Sequence, residues 1–198
     1  MIRLRRRELL AGIGFALGAG FGALFRGTRR VMRRRPRLRP PGAATEDDFL
    51  ASCIRCGQCV QACPFDTLRL TPPGPDAESA TPFVDSRKTP CYLCEGYDEL
   101  RCIAACPTDA LRRVASVRDI RMGVAEINES TCLGYNGVTC RVCWHACPFP
   151  DEALRFDALL RPVVNPEACI GCGLCDYACP TEESSIPIRP AAAQEGTT

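Results

Sequence analysis

A small α+β fold, built from one unit used four times around metal, is what this sequence predicts. Three observations predict it. Sixteen of the 198 residues are cysteine, all of them fall into four compact groups, and short apolar runs ending in Asp or Asn flank most of the groups. That cysteine usage is far above the ordinary globular level. Thiols two or three residues apart converge in space, which suits metal binding, whereas a disulfide framework spreads its cysteines through loops.

The groups are Cys53, Cys56, Cys59 and Cys63; Cys91, Cys94, Cys102 and Cys106; Cys132, Cys140, Cys143 and Cys147; and Cys169, Cys172, Cys175 and Cys179. The first and fourth follow C-x2-C-x2-C-x3-C-P, the bacterial spacing for [4Fe–4S] binding, in which the fourth cysteine ligates the other cluster of a pair. Group two carries seven residues between its second and third cysteines, and group three carries seven between its first and second. Every group runs directly into a proline: Pro64, Pro107, Pro148 and Pro180. Three close thiols on a looped backbone reach three irons of one cube, and proline helps turn the chain away after the fourth. Gly57, Gly171 and Gly173 allow backbone N–H groups to approach the sulfides. Zinc sites show paired CxxC motifs rather than three cysteines and a fourth before proline.

The expected fold class is therefore α+β, with two bacterial 2[4Fe–4S] ferredoxin-like modules in one chain. The expected cofactors are four [4Fe–4S] clusters on the sixteen thiols. Common spacing pairs the outer groups (53–63 with 169–179), and the seven-residue insertions pair the inner ones (91–106 with 132–147). On that pairing Cys179 completes the set of Cys53, Cys56 and Cys59, and Cys63 completes that of Cys169, Cys172 and Cys175. Likewise Cys147 joins Cys91, Cys94 and Cys102, and Cys106 joins Cys132, Cys140 and Cys143. Pairing of chain neighbours is the alternative.

Along the chain, residues 1–44 read as a leader with an Arg-rich linker. Arg6-Arg7-Glu8-Leu9-Leu10 fits the twin-arginine export pattern, an Arg pair, one variable residue and two apolar ones. The apolar stretch 9–25 is marginal against the roughly 20 residues that span a bilayer. Eight arginines from Arg26 to Arg39 follow, which by the positive-inside rule favour the cytoplasmic side. Twin-arginine export carries folded proteins, as a chain loaded with cofactor in the cytoplasm requires. The expectation is a periplasmic, membrane-associated protein, with leader cleavage left open. The glycines between 12 and 22 follow no strand and lie in no βαβ unit, so they are not a dinucleotide loop.

The body, 45–189, opens on a short helix after Thr45 as N-cap. Apolar runs at 83–85, 126–128 and 163–165 read as strands entering groups two, three and four, and 66–70, 109–111 and 152–156 as return strands. Residues 190–198 read as a flexible tail.

The formal charge of +2 hides a division. Residues 1–40 carry twelve arginines against the single acid Glu8, and the remainder carries thirteen bases against twenty-two acids. An acidic body repels phosphate, so no nucleic-acid partner is expected.

The segments CIRCGQCVQACPFDTL, CYLCEGYDELRCIAACPTDAL, DIRMGVAEINESTCLGYNGVTCRVCWHACP and ACIGCGLCDYACP together resemble the ferredoxin-type proteins NapG and MauM, over about 49–188. The resemblance implies a periplasmic carrier of four [4Fe–4S] clusters. For the nitrate-reductase member it implies a polytopic membrane ferredoxin that oxidises quinol as donor, and a periplasmic reductase or cytochrome as acceptor. For the methylamine member it implies a part in producing methylamine dehydrogenase, which makes a maturation factor the alternative function. The Arg-rich segment and the short C-terminal tail depart from the pattern.

The only histidine, His145, sits one residue beyond the C-x-x-C-H haem spacing and reads as a loop histidine. Trp144, Tyr92, Tyr97, Tyr135 and Tyr177 lie beside cysteines, where they would pack and exclude water. Glu95, Asp98 and Glu99 form a solvated face or a docking face for a basic partner. No catalytic residues are expected. The sequence holds no nucleophile–base constellation, P-loop or flavin signature, which points to electron transfer as a subunit rather than to a stand-alone enzyme.

Overall fold

The computed structural model describes residues 36–191. The arginine pair, the apolar stretch 9–25, the arginines up to Arg35 and residues 192–198 lie outside the described residues. The folded body begins earlier than the expected position 45. Leu38, Arg39, Pro40 and Pro41 are buried, and the Leu38 carbonyl accepts the Val84 N–H at 2.8 Å. Arg39 holds this segment in place. Its guanidinium donates to Glu46 at 2.9 Å and to Thr81 and the Pro82 carbonyl at 3.0 Å, and it lies over the Phe49 ring. A buried cation needs such complete pairing, which is why this arginine belongs to the body and not to the linker.

Helix α1 (Glu46–Ser52) starts where expected, with the Thr45 hydroxyl accepting the Asp48 N–H and three acids in its first turn. There follow α2 (Gln58–Gln61), β1 (Leu68–Leu70), β2 (Pro82–Val84), α3 (Arg101–Ala104), a 3-10 turn (Val117–Asp119) and β3 (Gly123–Ala125). The chain then forms α4 (Val142–Ala146), β4 (Leu154–Phe156), β5 (Pro162–Val164), α5 (Leu174–Ala178) and β6 (Ile188–Pro190). Strand β3 lies three residues ahead of the expected 126–128, because Asn128 already turns the chain by accepting the Cys132 N–H. The segment 109–111 makes only an isolated bridge, Leu111 to Ala43. Pro190, expected in the tail, ends β6, and the Ala191 N–H still reaches the Met122 carbonyl.

Pairing divides the body into two halves of one design. In the first, the hairpin β1–β2 joins groups one and two, and the Ala43–Leu111 bridge closes the outer edge. In the second, β4–β5 joins groups three and four, and β3–β6 closes the outer edge. The three sheets among the described residues are all antiparallel pairs. Helix α2 packs on α3, and α4 on α5. One apolar core runs from Leu38 and Phe49 through Ile103, Ile120 and Met122 to Ile170, with Cys59, Cys91, Cys102 and Cys172 among its buried members. A smaller core gathers Ala125, Leu154 and Ile186 around Cys143 and Cys175.

Gly171 is where backbone meets backbone. Its φ is +75°, and a Cβ there would fall 2.4 Å from the Gly123 nitrogen and 2.5 Å from its carbonyl oxygen. Gly171→Ala should destabilise the loaded protein by about 2–4 kcal/mol, since left-handed strain adds to a backbone clash that cannot relax cheaply. Gly137→Ala, also at positive φ but facing open space, should cost only the strain, about 1–2 kcal/mol. Thermal unfolding of the two variants side by side checks the difference.

Candidate functional site

The sixteen thiols gather into four sets, and the chain-neighbour alternative is the one the structure builds. Cys53, Cys56, Cys59 and Cys106 line one cavity (site one). Cys63 lies close enough to Cys91, Cys94 and Cys102 to act electrostatically on all three (site two). Cys132, Cys140, Cys143 and Cys179 line a second cavity (site three), and Cys147, Cys169, Cys172 and Cys175 a third (site four). The expected exchange of fourth cysteines between outer groups, and between inner groups, is therefore corrected. Cys63 and Cys106 exchange with each other, as do Cys147 and Cys179. The physical reason is the hairpin. β1–β2 folds group two straight back onto group one, and β4–β5 does the same for groups three and four. The seven-residue insertions only enlarge a local loop.

Each set follows one local construction. Three cysteines come from a loop that runs into a helix of four or five residues, and the fourth comes from the Cys-Pro turn after the partner helix. Some thiols accept backbone N–H groups: Cys94 from Arg101 at 3.3 Å, Cys169 from Ala125 at 3.5 Å and Cys179 from Ser185 at 3.4 Å. Cys179 also meets the Thr181 hydroxyl at 3.0 Å, and Cys106 the Thr108 hydroxyl at 3.7 Å.

The electrostatics of these sets call for a cation. Burial first, and neighbouring thiolates second, push Cys59 and Cys172 up to about 11 and Cys91 and Cys143 up to about 12. Cys102 and Cys175 are raised further, and Cys94 and Cys147 are raised as well. At Cys179 burial also pushes up, but hydrogen bonds from Thr181, Ser185 and Ser184 outweigh it and leave the thiol lowered. Thiols this buried ionise only against positive charge, so metal binding would displace their protons. Among the described residues no three His, Cys, Asp or Glu side chains converge tightly enough for a single metal ion. Four thiols around a hollow fit a multi-iron body, and the donor set is all sulfur, as [4Fe–4S] ligation requires.

The sets also act electrostatically on one another in a line. Cys59 of site one acts on Cys102 of site two. The Cys91 N–H of site two donates to the Cys172 carbonyl of site four at 2.9 Å, and the two thiols interact. Cys143 of site three acts on Cys175 of site four. Cys56 of site one is exposed, beside the exposed Ile54, whereas Cys91, Cys94, Cys102, Cys172 and Cys175 in the middle are buried.

Of the flanking residues, Trp144 stacks edge-on with His145 and donates to Asp151 at 3.0 Å, and His145, expected in a loop, lies exposed in the last turn of α4. Tyr92 packs on Phe65, and the Tyr135 hydroxyl reaches the Pro162 carbonyl. Tyr97 and Tyr177 are exposed. Asp98 and Glu99 rim an open groove that also includes Tyr97, Leu93 and Arg113. Sequence reasoning missed Arg87, whose role appears only in three dimensions. It also missed Thr108 and Thr181, which a Cys-Pro-Thr common to groups two and four could have revealed.

Comparison with known proteins agrees with the chemistry. A family model described as a 4Fe-4S dicluster domain matches residues 52–110, spanning groups one and two together, and a 4Fe-4S binding domain matches 160–181. The chain is 40% identical to the methylamine utilization ferredoxin-type protein MauM of Methylorubrum extorquens, covering 93% of this chain and 89% of the relative. It is 39% identical to MauM of Paracoccus denitrificans, covering 95% and 88%. It is also 39% identical to the ferredoxin-type protein NapG of Escherichia coli, covering 94% and 82%.

Proposed function

This chain belongs to the NapG/MauM family of ferredoxin-type iron–sulfur electron-transfer proteins, and from that premise we propose that it holds four [4Fe–4S] clusters, one per thiol set, in two ferredoxin-like modules. In this reading it is exported by the twin-arginine route, stays at the membrane, and passes electrons from a quinol-oxidising membrane partner to a periplasmic reductase or cytochrome. Each cluster, when bound, supplies a one-electron couple.

The observation that carries the reading is the unbroken line of thiol sets, one to two to four to three. The residues do the rest. Buried thiols and apolar walls keep water from the middle of the line, backbone N–H groups offset charge on the sulfurs, and the exposed Ile54–Cys56 loop offers one terminus to a partner. The test is anaerobic. Membranes containing the protein and its native partners should show cluster absorbance bleaching and low-temperature EPR signals on addition of a reduced quinol, and the isolated protein should not. Clusters that quinol leaves oxidised in both samples, yet dithionite reduces, would sink the quinol-linked role.

A second reading has its own support, because relatives named for methylamine utilization match as well as NapG does. There the same line delivers electrons during assembly of a periplasmic enzyme such as methylamine dehydrogenase. Failure of quinol reduction, with intact clusters, favours this reading.

A further inference from the structure

Arg87 leaves the first half of the body and inserts into the second. It lies between β2 and group two, is half-buried, and spends its donors on carbonyl oxygens around the end of α5. Nη1 reaches the carbonyls of Asp176 at 2.7 Å, Cys179 at 2.8 Å and Tyr177 at 3.5 Å. Nη2 reaches those of Thr181 at 2.5 Å and Glu182 at 3.3 Å. The neighbouring Ser86 hydroxyl donates to the buried Asp176 carboxylate at 2.6 Å, and Lys88 pairs with Asp85 at 3.0 Å. The guanidinium therefore lies beside the Cys179 backbone of site three, at the end of the helix that carries Cys175 of site four.

We infer that Arg87 is a positioning residue that fixes the joint between the halves and raises the reduction potential of the second-half clusters, site three above all. The inference rests on the reading of four bound clusters. Reduction takes a four-thiolate cluster from −2 to −3, so a fixed positive charge nearby favours the reduced form. The sign separates this role from mere structural support. Removing the charge lowers the potential. Loosening the joint admits water, which solvates the more highly charged reduced state and raises it.

The experiment is an EPR-monitored redox titration of the full chain as wild type, Arg87→Gln and Arg87→Lys, with iron content measured first. Signals of sites three and one are assigned by their loss in Cys140→Ala and Cys56→Ala. Wild-type iron short of four clusters defeats the four-cluster reading itself, before Arg87 is tested. With full iron, R87Q should shift site three to lower potential and leave site one in place, and R87K should stay with wild type. Should R87Q not retain iron, Arg87→Met is read in its place. A site-three potential that is unchanged or raised in the neutral variant overturns the inference. So does equal lowering in R87K, or loss of iron from both neutral variants with R87K intact, which would leave Arg87 a clamp only.

Discussion

Stripping the iron from this protein with a chelator will abolish its cooperative unfolding transition. Among the described residues every sheet is a pair of three-residue strands, and the α-helices run from four to seven residues. Pieces that short are not stable on their own in water. The cores that should hold them together include Cys59, Cys91, Cys102, Cys143, Cys172 and Cys175 among their buried members. Without iron, the thiols that line three of the sets lose the body they would pack around, a loss of packing contacts at each. Metal binding free energy in such domains is folding free energy; one structural zinc site supplies about 10–16 kcal/mol, against a typical total stability of about 5–15 kcal/mol. Circular dichroism during heating should show a sharp transition for the loaded protein and a shallow, non-cooperative slope after chelation. An iron-free chain that still melts cooperatively at a similar temperature would falsify this account of the fold.

Cys106→Ala will damage the site of group one, not that of its own group. Cys106 closes the cavity of Cys53, Cys56 and Cys59. Losing it should cost one cluster or convert it to a three-iron form, with iron content falling accordingly. Alkylation followed by mass spectrometry gives the sharper readout. Cys53, Cys56 and Cys59 should become reactive at least ten times faster than in the parent protein, while Cys91, Cys94 and Cys102 remain protected with Cys63; a tenfold change corresponds to about 1.4 kcal/mol of lost protection. Labelling of Cys132, Cys140 and Cys143 instead would restore the pairing of the inner groups.

Much of this site was legible in the sequence because thiol spacing is a local property. The four groups, the Cys-Pro turns and the Thr45 cap all depend on residues a few positions apart. Partner choice was not, because similar spacing is no sign of contact. Spacing describes how a loop wraps its own three ligands, whereas partner choice depends on which segments the hairpins fold together. A better signal lay one residue past each proline: Phe65, Thr108, Phe149 and Thr181 alternate. That alternation marks a two-group unit used twice, in keeping with the halves built on β1–β2 and β4–β5. Arg39 and Arg87 were illegible for a different reason. Each looks like another base in a basic or mixed segment, and only its partners, Glu46 and Thr81 for one and a ring of carbonyls for the other, distinguish it. Similarly, β6 was hidden because its partner β3 lies far upstream; Arg189 and Glu126, which pair across it, are 63 positions apart.

The way each half closes sets a timetable for synthesis. The outer edge of the first half can close once Arg112 has emerged from the ribosome, since Leu111 bridges Ala43 and the Arg112 N–H donates to the Gly42 carbonyl. The second cannot close until Ile188 to Pro190 are available to β3, much later in translation. A chain made N-terminus first can thus assemble sites one and two while the thiols of three and four are still being made. The joint at Cys91 and Cys172 is a late event, and a nascent chain halted before residue 188 should already protect the first eight cysteines but not the last eight.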